Sequence, residues 1–215
     1  MSAHDPLDAA GNSSSALANA GRSIGVSAVT VGALLAIMWV IETLDSTVLG
    51  DRLQANGILP RSVDGLDGIL WSPFLHAGFP HLISNSIPFV VLSSLALTGG
   101  RPRYVKASAI IIVLGGLMVW AFAFGNNENH IGASGWVFGL LGFILAAALR
   151  EKRPLSIVTA FIAIILYGGI IVASFVPTEG ISWEGHLFGF IAGIIAAKLV
   201  VQKRSLPSLD PPEVG

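Results

Sequence analysis

Residues 132–149 read Gly-Ala-Ser-Gly-Trp-Val-Phe-Gly-Leu-Leu-Gly-Phe-Ile-Leu-Ala-Ala-Ala-Leu and end on Arg150. An uncharged run of this kind approaches the roughly 20 residues that cross a hydrocarbon core as a helix. Its first turn carries a hydroxyl, Ser134, with Gly132 and Gly135 on either side. A serine there ordinarily caps or satisfies a helix end. Chemistry enters only if other polar groups meet it at the same depth.

The rest of the chain supplies the setting. Of 215 residues 53% are hydrophobic and only 12% charged, against about 25% charged in soluble domains. This is the composition of a membrane protein. Besides 132–149, apolar segments fall at about 24–44, 79–98, 104–124, 155–176 and 185–202. Backbone in lipid must satisfy its own hydrogen bonds, so the expected fold is an all-α, polytopic bundle of six transmembrane helices. Net charge is -1, which gives no argument for nucleic acid. The chain has no cysteine, so neither disulfides nor a thiol nucleophile enter the reading.

Lys and Arg set the orientation. Ten of the 12 (Arg22, Arg101, Arg103, Lys106, Arg150, Lys152, Arg153, Lys198, Lys203 and Arg204) fall on one side of the six alternating spans. Only Arg52 and Arg61 fall on the other, with the acids Asp45, Asp51, Asp64, Asp67, Glu128, Glu179 and Glu184. Both termini are therefore expected in the cytoplasm. Residues 1–22, rich in Ala, Ser, Gly and Asn, and residues 203–215, with Pro207, Pro211 and Pro212, read as disordered tails around a domain at 23–202. The early charges are Asp5 and Asp8, and the first apolar run is too long for a signal peptide, so it reads as a retained helix. The outer loop 45–78 is too polar to span and too aromatic for a linker. An interfacial element packed on the bundle is expected there, with Trp71 at headgroup level.

With that topology, Ser134, His186, His81 and Asn85 all lie in the outer part of the bilayer, on three helices. Polar groups in spans are costly and mark sites. Gly185, Gly189 and Gly193 form overlapping Gly-x-x-x-Gly units, and Gly135 and Gly139 form another. Such spacing ordinarily means close helix packing; here packing and catalysis require the same approach. If the two helices pair, His186 can take the proton of Ser134 and return it to a leaving amine. Glu184 precedes His186 by two residues and so falls on another face, expected in solvent; a dyad is preferred to a triad. Phe138, one turn beyond Ser134, can hold the imidazole by stacking. The Ser134 N–H, an orphan in a first helical turn, together with Asn85 and His81 offers donors for an oxyanion. The other meaning of the His81–Asn85 pair is interhelical glue. Gly132 leaves room for substrate backbone. His76 and His130 are expected to be structural or at the surface, and His4 lies in the tail.

These residues resemble the rhomboid family of intramembrane serine proteases. The resemblance covers about residues 24–202. It rests on Gly-Ala-Ser-Gly at 132–135, His186 with Gly189 and Gly193, and the spacing His76-x4-His81-x3-Asn85; the stretch from Pro60 to Leu75 is similar to the first outer loop of bacterial members. It implies Ser134 as nucleophile, His186 as base, and His81 and Asn85 at the oxyanion. It also implies a cavity open to the outside, single-span membrane proteins as substrates cut near the outer face, no metal or cofactor, and a bacterial inner-membrane location. Phe138 stands where many members have tyrosine, which preserves stacking and removes a hydroxyl.

Rival chemistries fare worse. An aspartyl intramembrane protease needs two acids within spans, and only Glu42 lies in one. His-Glu-x-x-His, the zinc signature, is absent from the sequence. A small-solute transporter predicts polar residues through the whole depth, and a non-catalytic client-binding relative has no need of both Ser134 and His186.

Overall fold

The computed structural model describes residues 6–124, 128–174 and 182–203. Seven α-helices make up the described chain: α1 (Pro6–Leu44), α2 (Gly68–Trp71), α3 (Phe79–Leu97), α4 (Arg101–Phe122), α5 (Ser134–Glu151), α6 (Pro154–Ser174) and α7 (Trp183–Val200). Five stretches are long and apolar enough to span a membrane: Ile24–Leu49 and the helices α3, α4, α5 and α7. Over Pro154–Gly169, α6 is a shorter apolar helix. With the short α2 set aside, the six expected helices are all present, as a polytopic all-α bundle.

One expectation fails. Residues 6–22 continue α1 and do not form a tail. The stretch contains Leu7, Ala9, Ala10, Ala16, Leu17, Ala18 and Ala20, all strong helix formers. Nucleation is the unfavourable step of helix formation, and the membrane segment has already supplied it. Residues 1–5 and 204–215, the remainder of the two expected tails, lie outside the described residues.

α5 runs through the middle of the bundle. Of its apolar stretch 61% is buried, against 11% for α1. Its most extensive pairing is with α7, and α4 and α3 also pack on it. The core beneath the site combines Leu82 and Phe89 of α3, Ile111 of α4, Trp136, Leu140, Leu141 and Phe143 of α5 and Ala196 of α7. Glycine sets the α5–α7 distance. A Cβ placed on Gly189 would lie 2.0 Å from the Gly135 carbonyl oxygen, and one on Gly193 1.8 Å from that of Gly139. No residue but glycine fits such a seam, which is the approach expected of the Gly-x-x-x-Gly pattern.

The outer loop is packed on the bundle. Short turns at Asp45–Leu49, Leu53–Asn56, Val63–Gly65 and Ser72–Phe74 lead through α2 to α3. Asp45 is buried and accepts the backbone N–H groups of Leu53 and Gln54. Ile58 and Ile69 bury against Val119 and Ala123 at the end of α4. Arg61 donates to the Ala123 carbonyl at 2.6 Å, and the Trp120 indole to that of Ser62 at 2.8 Å. Trp71 remains 56% exposed, as an interfacial side chain should be.

Candidate active site

Three helix ends converge on Ser134. Ala133 forms the N-cap of α5, so Ser134 is its first helical residue, and its N–H lies in the turn that has no intrahelical acceptor. Gly132 adopts φ +110°, a conformation that L side chains rarely take. Space independently excludes a side chain: a Cβ there would lie 2.6 Å from Cε1 and 2.7 Å from Nε2 of His81, and 3.6 Å from Nδ2 of Asn85. The strand of chain leading into Ser134 thus runs directly past both side-chain donors named from the sequence.

The two donors are oriented locally. His81 Nδ1 accepts the Ala77 backbone N–H at 3.3 Å, so the neutral ring carries its proton on Nε2, the atom next to Gly132. Asn85 is buried and spends one amide proton on the His81 carbonyl at 3.0 Å, keeping the other.

On the opposite side, Gly135 faces Gly185, whose carbonyl oxygen would lie 3.3 Å from a Cβ at Gly135. Ser134 and His186 are the chain neighbours of these two glycines. The His186 ring is buried and stacks on Phe138, with centroids 4.4 Å apart and planes at 17°. Gly189 and Gly193 hold the helix behind it against α5. A cavity with about 50 Å³ of water-accessible space touches Gly132, Ser134, Gly135, Ser182, Gly185 and Gly189. That is room for a few water molecules.

Comparison with known proteins gives the family. The model of the Rhomboid domain matches residues 66–203. This chain belongs to the rhomboid family. An uncharacterized protein of Mycobacterium tuberculosis is 39% identical over 183 residues, 81% of this chain and 75% of that one. An uncharacterized Mycobacterium leprae protein is 34% identical over 184 residues, 81% of this chain and 72% of its own. YdcA of Bacillus subtilis, named as a candidate rhomboid protease, is 29% identical over 182 residues, 80% of this chain and 87% of its own. Rhomboids are a family of intramembrane serine proteases that also contains inactive members, and this rhomboid is a multi-pass membrane protein by its helices.

Three polar residues of the rhomboid site differ from or extend the sequence reading. Glu184, expected in solvent, is 3% exposed and accepts the Phe124 backbone N–H at 3.4 Å. The end of α4 folds over the start of α7, which sequence spacing alone does not reveal. His76 is 1% exposed, and its Nε2 accepts the Ala133 N–H at 3.3 Å, fixing the start of α5. Burial, and then the neighbouring His81 ring, lower its pKa to about 4; the Phe74 carbonyl opposes this weakly without reaching hydrogen-bond geometry at Nδ1. His130 is buried, which removes the surface reading, and burial lowers its pKa against the opposing pull of Glu184 and Glu128. Its ring bonds Ser182. The spacing from His76 to His81 was a usable signal that His76 belongs near the site. None existed for the last.

Proposed function

We propose that this rhomboid is an intramembrane serine endopeptidase that cuts single-span membrane proteins through a Ser134–His186 dyad. The observation that carries the reading is the convergence at Gly132 and Gly135: two side-chain donors on one side of the nucleophile, the helix bearing the imidazole on the other. In the first step Ser134 Oγ bonds the scissile carbonyl carbon while His186 takes the hydroxyl proton. The resulting oxyanion is met by the Ser134 N–H, His81 Nε2–H and the free Asn85 amide proton. His186 then gives its proton to the amine as the C–N bond breaks, leaving an acyl-enzyme. Water, deprotonated by the same imidazole, releases the acid and restores Ser134.

The reading extends to place. The excess of Lys and Arg between the second and third spans, between the fourth and fifth, and at both ends supports cytoplasmic termini, a bacterial inner-membrane location and cleavage near the outer face. Stacking of Phe138 on His186 supports an imidazole oriented without a carboxylate partner. The reaction as written uses no metal and no cofactor.

The test is cleavage of a model single-span substrate in proteoliposomes. Wild type should cut with or without EDTA, and Ser134→Ala and His186→Ala should not. Cleavage that survives Ser134→Ala would refute the nucleophile. A folded wild type that binds but never cuts a panel of substrates would favour a client-binding role.

A further inference from the structure

His130 lies in the loop four residues before Ser134, and its backbone is fixed there. It exchanges two hydrogen bonds with Ile58 of the outer loop, each 3.0 Å. Its ring reaches across to the start of α7, where Nδ1 stands 2.6 Å from Ser182 Oγ. Ser182 is also the N-cap of α7. Its Oγ accepts the Gly185 N–H at 3.1 Å, and its carbonyl accepts the His186 N–H at 3.3 Å. One side chain thus ties the segment that delivers Ser134 to the residue that terminates the helix of His186.

The contact is robust to tautomer. A serine hydroxyl can give its proton to Nδ1 or accept one from it while still accepting from Gly185. Either way Nε2 is left buried without a protein partner. An unmet buried polar atom is destabilising, and an apolar ring would fill the space without that penalty. The gain is geometric. The glycine seam fixes how close α5 and α7 come, but glycines do not prevent one helix from sliding or rotating against the other. A short bond between their entry segments does.

We propose that His130 and Ser182 are a positioning pair that fixes the register of His186 against Ser134. Both line the cavity beside Ser134, and the role assigned to them is positioning, not contact with the reacting atoms. The inference rests on the dyad reading above. Removing either partner leaves the seam intact and lets the first turn of α7 shift, and displacements of about 1 Å at reacting groups lower rates about a hundredfold.

The experiment measures labelling of Ser134 by a fluorophosphonate in proteoliposomes, together with kcat and KM on a model substrate and a thermal melt of each variant. His130→Ala and Ser182→Ala should each slow labelling and kcat by about ten- to a hundredfold, with KM held. The double variant should be no slower than the slower single one. His130→Asn restores an acceptor and a donor at the Nδ1 position, so it should recover most of the rate. If wild type is labelled, and His130→Ala or Ser182→Ala is labelled equally fast per folded molecule, the pair has no positioning role even where the melting temperature falls. If one variant does not fold, the other and His130→Asn decide. Wild type that is folded yet unlabelled sinks the dyad reading itself, and the pair with it.

Discussion

Gly189→Ala is the smallest change that strikes the site from outside it. The added methyl would lie 2.0 Å from the carbonyl oxygen of Gly135, 2.8 Å from its carbon and 3.1 Å from its Cα. A carbon–oxygen contact normally closes to about 3.3–3.6 Å, so the two helices must part by more than about 1 Å. The obstacle is main chain on both sides, and no rotamer relieves it. Overpacking of this kind destabilises by about 1–3 kcal/mol, and a separation of about 1 Å at the nucleophile lowers the rate about a hundredfold. Gly115→Ala is the internal control, because it faces the same Gly189 from α4. There the new methyl would meet Gly189 Cα at 3.5 Å, Ala192 Cβ at 3.6 Å and Gly189 N at 3.7 Å, all ordinary contacts. Helical Gly→Ala then contributes about 0.5–1 kcal/mol of stability. The assay is initial cleavage rate in proteoliposomes beside a thermal melt in detergent. Gly115→Ala should match or exceed wild type in both, and Gly189→Ala should fall in both. Near-wild-type cleavage by Gly189→Ala, or an equal loss in Gly115→Ala, would refute the idea that the seam sets the catalytic spacing.

Further expectations follow from single residues. His76 is held neutral when folded, so below pH about 6.5 the unfolded chain binds a proton that the folded chain refuses. Stability should therefore fall with pH, by about 3 kcal/mol once pH reaches about 4. His76→Gln, which keeps an acceptor for Ala133, should flatten that part of the unfolding-versus-pH curve. Gly132→Ala combines a left-handed φ with a methyl against the His81 ring and should abolish cleavage while destabilising by about 1–3 kcal/mol; a melt and a cleavage assay read both. Glu184→Gln keeps the acceptor for Phe124. A dyad predicts near-wild-type kcat for it, and a triad predicts collapse.

The sequence made the six helices legible because length and hydropathy are local properties, and apart from the start of α1 their observed ends lie close to the expected ones. The α5–α7 pairing was legible for a different reason: glycines four apart have few other uses in lipid. Stacking of Phe138 on His186 followed from one helical turn of spacing to Ser134. What stayed hidden depends on segments far apart in the chain. His130 and Ser182 are 52 residues apart, and no periodicity links a loop to a cap. Glu184 was expected in solvent because two residues of spacing put it on another face from His186, and its cover comes from the end of α4. The helical start at Pro6 was missed because composition suggested a tail, while an adjoining membrane helix removes the nucleation barrier that makes tails stay unfolded.

The unequal burial of α1 and α5 has a mechanical meaning. A bilayer that thickens or thins acts on helices through their lipid-facing surface, which responds by tilting. α1 offers most of its membrane stretch to lipid, whereas most of that of α5 is enclosed. α1 leans on α3 and α3 on α5, so a tilt imposed at the rim is spread over two side-chain-packed, deformable interfaces before it reaches the rigid glycine seam. The periphery takes up the tilt, and the α5–α7 spacing rides inside it.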